Sequence, residues 1–198
     1  MAGRPLGFDR DAALAAAVEQ FWRTGFAETT ISMLTKAMGV TPPSLYTAFG
    51  DKNRLFEEAA ENYFRHTCEA LDRFAQQRTA HEAVAQMLND TARAHTDTGT
   101  PPGCFLLSEP RLTRQREDLR RRIKDRLDRG VHDGDLPPDT ATDQLATFLV
   151  AVMRGMSGSA RDGGTTEELL AIAATAMAAL PPLPDGAGEG EPIPACSE

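Results

Sequence analysis

The stretch from Thr29 to Phe49, TTISMLTKAMGVTPPSLYTAF, restricts the fold more than any other part of the chain. Ile31 and Leu34 lie one helical turn apart and mark the apolar side of a short helix. Gly39 stands where that helix has to stop, because glycine takes the left-handed conformation without steric cost. Val40 tucks under the turn. Thr41 is an N-cap, and Pro42 falls at the first helical position, where its missing N–H is not needed. Leu45 and Phe49 share the inner face of the second helix, and Ser44, Tyr46 and Thr47 form its outer face. A helix, a glycine turn and a second helix with a small polar face make a helix-turn-helix, the arrangement that seats one helix in the DNA major groove. A plain helical hairpin inside an all-α core has the same local pattern, so the flanks decide.

Residues 9–24 predict a helix whose apolar stripe is Leu14, Val18, Phe21 and Trp22. Gly25 ends it, and Phe26 carries the core onward. Either Thr29 or Thr30 caps the next helix, and a hydroxyl at a helix N-terminus is also placed to hold a phosphate. Beyond Phe49, Asp51 caps a long helix running from about residue 52 to 77, with Lys52 in its first turn next to the reading helix. Upstream, Gly3-Arg4-Pro5 reads equally as a disordered terminus or as an arm whose Arg4 reaches a minor groove or a phosphate.

The run from Phe21 to Phe56, with F-W-x-x-G-F-x-x-T-T, then L-x-x-A-M-G-V, then P-S-L-Y-x-A-F-G-x-K-x-x-L-F, resembles the DNA-binding domain of TetR-family transcriptional regulators. The resemblance covers about the first third of the chain residue by residue, and the spacing agrees across three consecutive helices. It implies an all-α homodimer: a three-helix DNA-binding domain, residues 1–50 with an arm at 1–8, and a larger ligand-binding and dimerisation domain, residues 51–180. By position, Thr30 matches the family's phosphate-contacting residue. Thr41, Pro43, Ser44, Tyr46 and Thr47 match the recognition helix and its approach, and Lys52 matches the lysine opening the fourth helix. Pro43 departs from the glycine that many members carry, so base preference near it does not transfer.

In the remainder, Phe56, Ala60, Tyr63, Phe64, Leu71 and Phe74 recur at helical spacing along the linking helix. Thr79 to Glu82 and Thr165 to Glu168 fit capping boxes that open further helices. Arg111 to Arg129 holds nine Lys/Arg interleaved with acids, and reads as a solvated helix face with pairs such as Glu117 with Arg121 and Asp125 with Arg129. The last two helices are apolar enough to need a partner. Leu145, Leu149, Val152, Met156, Leu169, Ile172, Ala176 and Leu180 are the expected dimer face, a four-helix interface across a two-fold axis. Candidate walls of a pocket for a small hydrophobic or amphipathic effector are Phe64, Cys68, Met87, Cys104, Phe105, Phe148 and Met153, all of them equally good core residues. Residues 181–198, with five prolines, three glycines and no Lys or Arg, predict a disordered acidic tail.

The net charge of -8 speaks against a DNA binder until the chain is divided. Residues 1–55 carry six Lys/Arg against five Asp/Glu, so the acidity lies elsewhere and the reading head is weakly basic. That weakness keeps a second reading open, a helical interaction module without DNA binding. A third is a thiol- or metal-responsive regulator built on Cys68, Cys104 and His95. The scattered histidines make no catalytic constellation, so no enzyme and no cofactor are expected. No apolar run spans a membrane and no signal core stands at the N-terminus, which predicts a cytoplasmic protein.

Overall fold

The computed structural model describes residues 8–182, so Arg4 and nearly all of the acidic tail lie outside the described residues. Among those residues every regular element is helical. A three-helix head comprises α1 (Arg10–Glu28), α2 (Ile31–Met38) and α3 (Pro42–Phe49). A long helix, α4 (Lys52–Ala75), runs from the head into a body made of α5 (Ala80–His95), α6 (Phe105–Ser108), α7 (Thr113–His132), α8 (Thr142–Arg161) and α9 (Thr166–Met177).

The helix boundaries follow from local chemistry. Thr30, Thr41 and Asp51 each accept a hydrogen bond from a backbone N–H of the helix they open. Both capping boxes form in full, at Thr79 with Glu82 and at Thr165 with Glu168. Gly39 ends α2 at φ 65°, ψ 30°, the left-handed conformation the turn requires. Gly25, at φ 73° and ψ 166°, breaks the helical path of α1, and the last residues of that element turn toward α2. Of the two threonines that follow, Thr30 is the cap. Thr29 is fully buried and donates its hydroxyl to the Gly25 carbonyl at 2.5 Å.

Aromatic rings tie head to body. Phe56 of α4 meets Phe21 and Phe26 of α1 edge-on, with centroids 5.2 and 5.0 Å apart, and meets Phe105 of α6 at 5.8 Å. Tyr63 stands edge-on to Phe105 at 5.6 Å and to Trp22 at 5.2 Å. In the body, α5 packs on α9, α7 on α8, and α8 on α9.

The basic helix α7 departs from the expected solvated face. Its outer side is knitted by ion pairs, but in another register: Arg120 pairs with Glu117 and Asp143, Arg121 with Asp118, and Lys124 with Asp128. Arg129 reaches the Ala75 carbonyl instead of Asp125. Two arginines turn inward. Arg126 is buried and donates to the Gln77 carbonyl, with Asp135 at 3.8 Å. Arg116 donates to the carbonyls of Leu106, Glu109 and Pro110, at the end of α6 and the start of the turn that follows it.

Candidate nucleic-acid interface and effector cavity

The two helices of the reading motif bury one face each. Leu34 and Met38 of α2 and Leu45 and Phe49 of α3 fill the head core. That leaves Thr41, Pro43, Tyr46 and Thr47 exposed and Ser44 half-buried on one surface, with Tyr46, at 49% exposure, the most accessible aromatic of the head. Their hydroxyls are partly committed. Thr41 Oγ1 caps the Ser44 N–H and lies 3.0 Å from Ser44 Oγ, and Thr47 donates to the Pro43 carbonyl at 2.8 Å. Thr30 Oγ1 accepts from the Met33 N–H, which leaves its own proton free for a phosphate oxygen. The ammonium of Lys52, the first residue of α4, lies 4.3 Å from the centre of the Phe26 ring, so its charge is held at the start of α4 against the head.

How the head is held to the body escaped the sequence reading. Glu109, between α6 and the short 3-10 turn Pro110–Leu112, is 5% exposed. Its Oε2 accepts from the Phe26 N–H at 2.9 Å and its Oε1 from the Arg111 N–H at 3.1 Å. The Arg111 guanidinium lies 3.7 Å from the Phe26 ring centre, so that ring meets two cations, and it also donates to Asn53 Oδ1. On the same stretch of α1, Arg161 of α8 donates to the carbonyls of Trp22 and Arg23 at the last turn before Gly25. The buried carboxylate gives no signal in the sequence, because its partner in the head, Phe26, is 83 residues away.

A cavity of about 860 Å³ opens between α4, α5, α6 and α8 and reaches Trp22 of α1. Of the seven expected wall residues, Met87, Cys104 and Met153 line it. The other four do not. Phe105 is fully buried in the aromatic cluster, Phe64 packs partly buried against the core, Cys68 is half-buried on α4, and Phe148 is 41% exposed on the outer face of α8. The walls not foreseen include Trp22, Tyr63, Leu106, Leu107, Leu119 and His95. Tyr63 donates its hydroxyl to Cys104 Sγ at 3.2 Å, and the Cys104 N–H donates to Ser157 Oγ. Burial pushes the Cys104 thiol up, and the Cys68 thiol likewise, away from the reactive thiolate form. Cys104 and His95 share the cavity, but Cys68 is not among its walls, so the three do not meet there. Among the described residues no group of three or more His, Cys, Asp or Glu is placed to hold a metal.

Burial lowers the pKa of His95 from 6.5 to about 4. Below pH 6.5 the unfolded chain takes up a proton that the folded one refuses, so stability is complete above pH 6.5 and falls as the pH drops toward 4. The loss reaches about 3 kcal/mol. Urea midpoints followed from pH 7 to 4 should fall more steeply in the parent protein than in His95→Leu; parallel profiles would show that His95 is not the group.

The expected dimer face divides in two. Leu145, Leu149, Met156, Leu169, Ala176 and Leu180 are buried within one subunit, which consumes most of the apolar surface of α8 and α9. Val152 and Ile172 remain at the surface and join Phe148, Ala171 and Thr175 around a shallow groove. Gly155 and Gly158 have open space beside them.

A three-helix head with an exposed polar recognition helix, set on a cavity-bearing helical body, defines a helix-turn-helix regulator. Residues 13–59 match the profile described as bacterial regulatory proteins, tetR family, and residues 108–177 match the tetracyclin repressor-like C-terminal domain. The chain belongs to the TetR family of transcriptional regulators. It is similar to the HTH-type transcriptional repressor ComR of Escherichia coli K12, with 32% identity covering 91% of this chain and 93% of that protein. The repressor BdcR of the same organism is 30% identical, covering 90% and 92%. A cysteine mutant of the regulator CifR, solved with 26-bp double-strand operator DNA, is 36% identical and superposes with a TM-score of 0.87, covering 90% of this chain and all of that one. Among the described residues no helix is long and apolar enough to cross a membrane.

Proposed function

We propose that this regulator is a cytoplasmic repressor that binds a palindromic operator as a homodimer and leaves it when a small hydrophobic or amphipathic effector enters the body. The observation that carries the reading is the joint placement of an exposed polar face on α3 and a large cavity that reaches α1 of the same head. In this reading residues 1–50 form the DNA-binding unit, and residues 51–180 form the effector and dimer unit. Thr30 and Lys52 hold phosphates, Tyr46, Thr47 and Ser44 face base edges, and Arg4 supplies an arm. Relatives that carry the word repressor in their names, and a neighbour held on operator DNA, support it. An effector acts only through a difference in its affinity for the DNA-competent and incompetent head spacings.

The dimer is formed through the outer face of α8 and α9 around Phe148, Val152 and Ile172. Phe148→Asp together with Ile172→Asp should give a folded monomer by sedimentation, with operator affinity reduced to that of a half-site. Random-sequence selection with the parent protein should recover an inverted repeat carrying two protomers. Recovery of single half-sites, or a dimer undisturbed by both aspartates, would refute this arrangement.

A further inference from the structure

The cavity walls carry more chemistry than a greasy hole needs. The deep side is apolar or soft: Tyr63, Met87, Cys104, Leu106, Leu107 and Met153. At the rim stand two cations, Arg73 and Arg93, and two anions, Asp90 and Asp97, all exposed, so the entrance favours neither sign of charge. Two wall residues are more than nine-tenths buried and hold a nitrogen with no hydrogen-bond partner among the described residues: Trp22, through Nε1, and His95, through Nδ1. A buried polar group left without a partner is costly, and that cost is recovered by any ligand that supplies one. Both nitrogens are covered in the structure as it stands, so a small rotation of each ring is needed to present them. Burial keeps His95 neutral at pH 7, so no charge in the wall calls for a counter-charge on the ligand.

We infer that the effector is an uncharged, mostly apolar molecule carrying a hydrogen-bond acceptor, seated between Trp22 of the DNA-reading head and His95 of the body. This rests on the regulator reading above and names its ligand class. Trp22 gives the site its consequence. It lies on α1, three residues before the Gly25 break, and its own carbonyl is held by Arg161. A ligand drawn to its indole therefore pulls on the head itself, without an intermediary element. A carboxylate or an ammonium entering the same wall loses its hydration with no opposite charge to replace it.

The chain contains a single tryptophan, so its emission reports this wall and no other. The test uses full-length protein without DNA and three probes of one length, octan-2-one, octanoate and octylammonium, titrated to millimolar concentration. Octan-2-one should shift the Trp22 emission, and the two charged homologues should bind at least about tenfold more weakly. By calorimetry, Trp22→Phe and His95→Leu, each checked for unchanged helical content, should each weaken octan-2-one by about three- to tenfold. Charged probes that bind as tightly as the ketone, a ketone affinity unmoved by both substitutions, or no emission change with the ketone would overturn the inference. Operator binding by the ligand-free protein is measured separately and does not involve the cavity, so failure of the ligand class and failure of the regulator reading are told apart.

Discussion

Replacing Tyr46 and Lys52 together by alanine should abolish specific operator binding and leave the fold intact. Tyr46 is half exposed, so its loss costs the head little. Lys52 gives up one cation–π contact with Phe26, about 0.5–1 kcal/mol. On DNA the balance reverses. A base-edge contact contributes about 1–3 kcal/mol, and two half-sites double it, so the affinity should fall at least about thirtyfold. Removing Lys52 from both protomers should also flatten the salt dependence by about two phosphate contacts. Both quantities come from binding titrations at several salt concentrations. A double variant that keeps its helical content and still shifts the operator with parent affinity would remove the outer face of α3 from the interface.

The second large effect concerns Glu109. Truncating it to alanine leaves the backbone N–H groups of Phe26 and Arg111 without their buried acceptor. Hydrogen bonds to a charged group contribute about 1.5–3 kcal/mol, and an orphaned buried donor adds a penalty, so Glu109→Ala should cost about 2–4 kcal/mol. The urea midpoint should drop with an unchanged slope, and amide exchange at Phe26 should accelerate, because that N–H loses its partner. Glu109→Gln keeps an acceptor and should recover part of the loss. A stability within about 0.5 kcal/mol of the parent would mean that the Glu109 hydrogen bonds do not hold the head to the body.

What could be read from the residues and what could not divides along sequence distance. Gly39, Thr41 with Pro42, and the two capping boxes are written within four residues of where they act, and the structure holds each of them. The all-helical layout follows from the same local signals plus apolar periodicity. Charge interleaving on α7 was visible, but not its register, since residues three and four apart compete for the same arginine. Arg116, Arg126 and Arg161 turn to carbonyls that belong to other elements, and no pattern within one helix foretells that. The cavity fails for a related reason. Helical spacing marks Phe105 and Met153 alike as inward-facing, yet one sits inside the aromatic cluster and the other borders empty space. Phe148 lies on an apolar stripe whose inner half is satisfied by its own subunit, which turns a supposed wall residue into a surface one.

On this reading the exposed face of α3 recognises a specific operator. The most direct test is a gel shift of the purified protein on the DNA flanking its own gene, at two salt concentrations and with excess competitor DNA. A specific complex with two protomers per inverted repeat, weakening as salt rises, is the predicted result. A folded protein that binds flanking and random-selected DNA no better than competitor would contradict the account and leave a helical interaction module in its place.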